Sequence, residues 1–149
     1  MDSDGVIHLA FVVPSVSEAA TRTDARAIET FAAGLAGSGY IGDGSSRWPA
    51  VHVKDAASLY RLAIEQAPAG AILNAVGDEG VPVREIAEAI GRHLNLPARS
   101  LPAKEYGGML VPLLSRDQPA SSTITQELLG WKPTHPGLIE DIEQGHYFI

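Results

Sequence analysis

The chain has 149 residues, of which 45% are hydrophobic and 19% charged, values that suit one folded domain with a usable core. Eleven basic residues against eighteen acidic ones give a formal net charge of −7, which disfavours nucleic acid and anionic membrane surfaces as partners. The absence of cysteine excludes disulfides, thiolate zinc sites and cysteine nucleophiles.

The N-terminal residues predict a cytoplasmic protein. The opening MDSDG is acidic where a secretory signal would be basic. The longest apolar stretch, residues 6–14, is interrupted by His8 and is too short to span a bilayer.

The apolar pattern predicts an α/β fold with a small, largely parallel sheet flanked by helices. Residues 5–13, GVIHLAFVV, form a near-continuous β-branched run that is typical of a strand covered on both faces. Further short strands are predicted at residues 50–53, 71–76 and 98–102, with a turn at 77–80. Helical spacing covers residues 24–36, 56–66, 82–94 and 121–129, and a last helix begins near Pro136.

The stretch GSGYIG matches the spacing G-x-G-x-x-G of a turn that cradles a dinucleotide pyrophosphate. That turn requires a strand before it and a helix after it, so that backbone N–H groups face the phosphates. Here a helical pattern precedes the glycines and a strand pattern follows them. The sequence therefore predicts that Gly37 and Gly39 mark the exit of a helix.

Most catalytic patterns are missing from the sequence. The five histidines do not have metal-ligand spacing, and neither a G-x-S-x-G elbow nor a P-loop occurs. Arg47, in the loop DGSSR, could grip a phosphate or carboxylate through its two-pronged guanidinium, or could pair with Asp43 or Asp55 at the surface. Trp48 could line a pocket beside it or fill the core.

Three stretches carry a resemblance to a known family: DGVIHLAF with DARAIETFAAGLAGSG; YIGDGSSRWPAVHVKDAASLYRLAIE; and the region from NAVGDEGVPVREIAEAIG to ELLGWKPTHPGLIEDIEQG. Together they span nearly the whole chain, which resembles the NAD-dependent epimerase/dehydratase group of extended short-chain dehydrogenase/reductases. The resemblance implies an incomplete Rossmann-like parallel sheet with the substrate-lobe helices of that family. Residues 1–39 would be a remnant strand–helix unit of the NAD(P)-binding domain, and residues 40–149 would pack as one domain of C-terminal strands and helices.

The resemblance also implies that segments are missing. Between Gly39 and Tyr40, a full-length relative carries a long stretch with a Ser/Thr strand and a Tyr-x-x-x-Lys helix, and its glycine-rich turn would precede Met1. We therefore expect a truncated relative of an epimerase, dehydratase or reductase, or a gene model that lacks coding sequence.

The site residues that the resemblance implies are few. Ala10 and Phe11 correspond to residues that line the cleft for NAD or NADP, and Arg47 with Trp48 to the substrate side, where the family arginine holds a phosphate. Neither a catalytic nor a metal-binding residue carries over. The isolated chain is therefore predicted to be inactive toward a small or sugar-like substrate.

An alternative function is a non-enzymatic interaction module. In the family, the helix that corresponds to residues 24–36 is similar to one that packs across a dimer interface, and here its neighbouring helix is missing. Ile28, Phe31 and Leu35 would then be partly exposed, which favours self-association or pairing with a full-length homologue.

Overall fold

The computed structural model describes residues 7–8, 39–105, 111 and 115–145. The strands within these residues are β1 (Ile7–His8), β2 (Gly39–Ile41), β3 (Arg47–Ala50), β4 (Leu73–Asn74), β5 (Asp78–Pro82) and β6 (Arg99–Leu101). The helices are α1 (Val53–Gln66), α2 (Val83–Leu94), α3 (Thr123–Leu129) and α4 (Leu138–Glu143), with a 3₁₀ turn at Ala103–Glu105.

The described strands form three two-stranded sheets. β1 pairs with β4 and β2 with β6, both in parallel, and β3 pairs with β5. Helices accompany these short sheets, which confirms the predicted α/β class with a small parallel sheet. No helix in the part of the chain that the structure describes has the length and apolar character needed to cross a membrane.

The chain divides into two compact units. The first unit comprises Met1–Val12, Trp48–Val81 and Pro119–Leu138, and the second comprises Val13–Arg47, Pro82–Gln118 and Ile139–Ile149. The division predicted after residue 39 stays a prediction, because residues 9–38 lie outside the described residues. The predicted helix at 24–36 lies outside them as well.

The first unit is built on a small apolar core. Its buried members come from α1, β4, the segment after β4, the end of α3 and the segment after α3: Leu59, Leu73, Ala75, Leu129 and Trp131. Full burial of a large apolar side chain contributes about 1.5–3 kcal/mol. Gly130, at φ +62°, ends α3 in the left-handed conformation and turns the chain so that Trp131 enters this core.

The strand predicted at residues 50–53 is wrong in position. β3 ends at Ala50, and α1 already begins at Val53. The reason is a cap that the pattern did not reveal, because the His52 ring Nδ1 accepts the Lys54 N–H at 3.1 Å. This bond satisfies one of the first-turn N–H groups and starts the helix early.

The region after β4 also differs from the prediction. Of residues 71–76, only Leu73–Asn74 is strand, and the turn predicted at 77–80 is mostly strand β5. Charged and glycine residues are poor strand formers, so the sequence DEG predicts a turn. Pairing with β3 outweighs that preference, and the Gly77 N–H donates to the Ala50 carbonyl at 2.8 Å beside it.

The second unit is organised by α2, and the helix predicted there is confirmed. Val83, Ile86, Ala87 and Ile90 are buried, whereas Leu94 remains 38% exposed. Pro82 precedes the helix as its N-cap instead of occupying its first turn. The other end is closed by a residue in the left-handed conformation, Asn95 at φ 59°.

The GSGYIG stretch ends in a turn and a strand. Gly39 lies in β2 opposite Arg99, so its predicted place at a helix exit is wrong; Gly37 lies outside the described residues. Gly42, at φ +65°, begins the turn that leads to β3. The stretch is therefore not followed by the helix that a pyrophosphate cradle needs.

The C-terminal elements agree with the pattern. α3 follows Ser122 and is ended by Gly130, and β6 falls within the strand predicted at residues 98–102. α4 begins at Leu138, two residues after Pro136. The Leu138 N–H donates to Asp78 Oδ2 at 2.7 Å, which satisfies an N–H of the first turn.

Candidate functional site

Arg47 presents its guanidinium at the start of β3, where half of the side chain (49%) is exposed. Its Nε and Nη2 donate to the two carboxylate oxygens of Asp117 at 3.1 and 2.9 Å, and the Arg47 N–H donates to Asp117 Oδ1 at 2.8 Å. Of the two interpretations that the sequence leaves open for Arg47, the structure shows a surface pair with a carboxylate of this chain. The partner is Asp117, and neither Asp43 nor Asp55.

Asp117 is held beside Arg47 by the backbone around it. The Gln118 N–H donates to the Arg47 carbonyl at 3.0 Å, and the Ser46 hydroxyl donates to the Ser115 carbonyl at 3.1 Å. Hydrogen bonds from the Arg47 side chain and N–H lower the pKa of Asp117, and the same pairing raises the pKa of Arg47. Because both side chains are half exposed, solvent screens the pair, and a more highly charged anion can compete for the guanidinium.

The other predicted site residues lie elsewhere. Trp48 belongs to the first unit and is 8% exposed, as expected for a core tryptophan. Its role on the substrate side stays a prediction. Ala10 and Phe11 lie outside the described residues.

The described residues do not supply a diphosphate-binding turn for a nicotinamide cofactor. Gly39 is a strand residue, and the turn at Gly42 leads into β3 instead of a helix N-terminus. These positions therefore do not fit the diphosphate of NAD or NADP. No group of three or more potential metal ligands occurs within residues 39–105 and 115–145 either.

A polar cluster that the sequence did not predict lies at the N-terminus of α1. Asp55, 2% exposed, accepts hydrogen bonds from the His135 ring Nδ1 at 2.7 Å and from the N–H groups of His135 and Thr134 at 3.0 and 3.1 Å. A carboxylate can only accept, so the His135 Nδ1 carries the hydrogen. The buried carboxylate thus fixes the orientation and tautomer of an imidazole whose side chain is 36% exposed.

Local structure explains how two residues 80 positions apart meet. Asp55 lies in the first turn of α1, where the helix dipole favours a negative charge. After Gly130, the Trp131 indole N–H donates to the Asp55 carbonyl at 3.1 Å and to the Ser58 hydroxyl at 3.0 Å. Burial of Trp131 therefore brings the following residues, with His135, to the Asp55 carboxylate.

Two opposing effects set the ionisation of Asp55. Burial alone would raise its pKa, but the hydrogen bonds from the His135 ring and N–H and from the Thr134 N–H outweigh it, together with the charge of a protonated His135. The pKa of Asp55 therefore lies below its ordinary value. Asp55 is charged at neutral pH, and the loop that it holds depends on that charge.

A second histidine completes the cluster. The His52 ring stacks on the His135 ring with centroids 4.6 Å apart and planes 11° apart. An imidazole held by a buried carboxylate is the arrangement that general acid–base catalysis uses. A single sequence has no local pattern that joins positions 52, 55 and 135, so only the folded chain reveals the cluster.

The curated relatives that this chain matches are longer proteins. No family model matches the chain. An uncharacterized protein of Schizosaccharomyces pombe is 49% identical over 114 residues, which are 74% of this chain and 39% of that protein. An uncharacterized protein of Saccharomyces cerevisiae is 42% identical over 112 residues, 73% of this chain and 38% of that protein. The chain thus spans about two fifths of the length of the curated relatives it matches.

Solved structures with a similar fold hold NAD. The Bordetella bronchiseptica enzyme WbmG in complex with NAD superposes with a TM-score of 0.59 at 12% identity, over 95% of this chain and 42% of WbmG. The dTDP-glucose 4,6-dehydratase DesIV of Streptomyces venezuelae, with NAD and TYD bound, gives 0.52 at 16% identity, over 71% of this chain and 31% of DesIV. At these identities the likeness establishes a Rossmann-like fold and nothing about activity.

Replacing Asp55 by Asn tests the cluster. Asn keeps the size of the side chain but places an NH₂ group among N–H donors, so we expect the free energy of unfolding at neutral pH to fall by about 1–3 kcal/mol. The folded pKa of Asp55 is depressed, so its stabilisation is present above the ordinary carboxyl range and is lost as the pH falls through the folded value. The stabilities of the two proteins should therefore converge below about pH 4 in urea denaturation.

Glu65→Gln is the control for this experiment. Glu65 is an exposed carboxylate of α1 that pairs with Arg61, and its loss should change stability little at any pH. A stability difference between wild type and Asp55→Asn that stays constant from neutral pH to about pH 3 would contradict the assignment.

Proposed function

We propose that this chain is a relative of NAD(P)-dependent epimerases, dehydratases and reductases that supplies part of the cofactor domain and the substrate side of that fold. Its substrate class is a small or sugar-like molecule, and the isolated chain performs no redox chemistry. The observation that carries the proposal is the fold likeness to WbmG, which extends over 95% of this chain but 42% of that enzyme. The two yeast relatives agree with this, because the matched residues make up 39% and 38% of their lengths.

The proposed inactivity rests on the residues present. Hydride exchange in the family that the chain resembles uses a tyrosine as acid or base, whose pKa is lowered by a lysine one helical turn away. Tyr40, Tyr60 and Tyr106 are followed four positions later by Gly, Ile and Leu. None of these three tyrosines has a lysine at that spacing, which supports the proposed inactivity of the isolated chain.

The proposed substrate contact is Arg47. A half-exposed guanidinium that already binds a carboxylate through two nitrogens has the geometry to bind a phosphate in the same way. A diphosphate carries more negative charge than Asp117, which favours exchange of the exposed pair. In this proposal Asp117 occupies the guanidinium until an anionic substrate group displaces it.

Uridine diphosphate, which a second WbmG structure contains together with NAD, is a suitable probe of Arg47. We expect Asp117→Asn to tighten its binding, because the competing charge is removed while the side-chain size is kept. Arg47→Lys should weaken binding by about tenfold, because lysine keeps the charge but loses the planar fork. Calorimetric titration of the two variants and the wild type measures both effects; equal affinity in all three would remove Arg47 from the substrate site.

A thermal unfolding scan with NAD(H) and NADP(H) tests the proposed function as a whole. A ligand at about 100 times its dissociation constant adds about 2.7 kcal/mol to the native state, an upward shift of several degrees for a small domain. We expect a cooperative transition that neither cofactor shifts, and no reduction of either oxidised cofactor in the presence of sugar nucleotides. A clear upward shift would show that a cofactor cleft persists, and turnover would refute the proposed inactivity.

The alternative function is an interaction module that self-associates or pairs with a full-length homologue. The observation that favours it is the exposure of large apolar side chains in the described part of the first unit: Val53 (69%), Ile64 (85%), Ile72 (67%), Ile124 (74%) and Leu128 (46%). Ile124 and Leu128 are four positions apart on α3 and therefore share one face of that helix. The proposed contact through Ile28, Phe31 and Leu35 would add a second apolar surface.

Sedimentation analysis distinguishes the module from a monomeric remnant. The chain is run alone and with the full-length Schizosaccharomyces pombe relative, and the double variant Ile124→Ser with Leu128→Ser is compared with Glu127→Gln on the same helix. If the chain is an interaction module, we expect a complex that the double variant weakens and that Glu127→Gln leaves unchanged. A chain that remains monomeric in both settings would count against the module.

A further inference from the structure

The side of α1 that faces away from the core of the first unit is apolar. Asp55 and Leu59 are the buried residues of this helix and mark its inner side. At about 100° per residue, four residues fall on the opposite side, which we call the outer stripe of α1: Val53, Ala57, Tyr60 and Ile64. All of them except Tyr60, which is partly buried, are exposed.

An apolar outer side is unusual for a helix at a protein surface. Such a helix ordinarily carries polar residues opposite its core. The exposed charged residues of α1 lie instead along one flank, between the inner side and the outer stripe: Lys54, Arg61 and Glu65. A helix that is apolar on two opposite sides is typical of one packed on both, so the pattern indicates a partner at the outer stripe.

The spacing of the outer stripe fits a second copy of the same helix. Its intervals are four, three and four residues, which read the same in both directions. An antiparallel second copy, related by a two-fold axis between positions 57 and 60, places Val53 against Ile64 and Ala57 against Tyr60. The small Ala57 leaves room for the ring of Tyr60, whereas a parallel pair would set Tyr60 against Tyr60.

Charge complementarity selects the same orientation. Positions 54 and 65 are about three helical turns apart, so Lys54 and Glu65 lie on the same flank of the outer stripe. Antiparallel pairing brings Lys54 of each copy beside Glu65 of the other, whereas parallel pairing would bring like charges together. Arg61, on the same flank, is neutralised within its own chain, because its Nη1 donates to Glu65 Oε2 at 2.9 Å.

We propose that the outer stripe of α1 is the contact of a homodimer in which two copies of this helix pair antiparallel. This inference rests on the self-association of the alternative function and adds a contact to those named there. A helix of 14 residues is about 21 Å long, so the pair falls at the small end of the about 1,200–2,000 Å² range of stable interfaces. The dimer is therefore weak, and we expect a dissociation constant in the micromolar range.

Sedimentation equilibrium of the full chain at micromolar concentrations tests the contact. We expect the wild type to dimerise and Ile64→Ser to weaken the dimer about tenfold or more, because symmetry removes two contacts of Ile64 with Val53 at once. Ile64 is exposed in the single chain, so its replacement should leave the fold unchanged. Ile72→Ser is the matched control: Ile72 is also largely exposed but lies outside α1, and its variant should keep the wild-type dissociation constant.

Charge reversal tests the antiparallel orientation. Lys54→Glu alone and Glu65→Lys alone each bring like charges together at both ends of the pair. Each variant should therefore self-associate about tenfold more weakly than the wild type at low salt. An equimolar mixture of the two variants should recover a heterodimer, because every charge contact then joins a glutamate to a lysine.

The outcomes separate this inference from the functions proposed above. A monomeric wild type would overturn both the α1 contact and self-association. A wild-type dimer that Ile64→Ser leaves unchanged, or variants whose mixture recovers no heterodimer, would overturn the α1 contact while self-association stands. An outer stripe that binds only the full-length Schizosaccharomyces pombe relative would overturn the second copy as its occupant. None of these results bears on the proposed inactivity, which the cofactor scan tests.

Discussion

The described part of the first unit depends on one buried carboxylate. Asp55 holds the loop after Trp131 through the side chain of His135 and the backbone of Thr134 and His135, and its own backbone carbonyl accepts the Trp131 indole N–H. An unpaired buried charge is costly, so these bonds are needed for Asp55 to be buried at all. The start of α1, the loop after Trp131 and Trp131 itself therefore form one cooperative structure, because the polar groups of each are hydrogen-bonded by another.

Buried polar contacts fix α3 to β4 and to the segment after it. Within the described residues, β1 and β4 pair in parallel at Ile7–Leu73 and His8–Asn74. Two side-chain hydroxyls bind the backbone of this region. The Asn74 N–H of β4 donates to the Thr125 hydroxyl at 2.8 Å, and the Ser122 hydroxyl donates to the Val76 carbonyl at 2.6 Å. α3 is thereby fixed to the strand by buried polar contacts as well as by apolar packing, which sets where Gly130 must turn the chain.

The sequence pattern predicts those elements that depend on residues close together in the chain. The helix at residues 83–94 has a clear apolar periodicity and was placed correctly, whereas the start of α1 was missed because its cap is a histidine. The sequence of β5 predicts a turn because Asp, Glu and Gly are poor strand formers, and pairing with β3 outweighs that preference. The local sequence leaves Arg47 either an anionic ligand or a pair with Asp43 or Asp55, but its partner Asp117 is 70 positions away, and the Asp55–His135 pair spans 80. Only tertiary structure brings such pairs together.

The two polar sites differ in how far solvent can weaken them, and this difference bears on their roles. The Arg47–Asp117 pair is half exposed, so its attraction is screened and the partner can be exchanged, as a site for an anionic ligand requires. The Asp55 carboxylate is 3% exposed, so its partner cannot be exchanged without unfolding the loop. An exchangeable pair suits recognition, whereas a fixed pair suits the support of the fold.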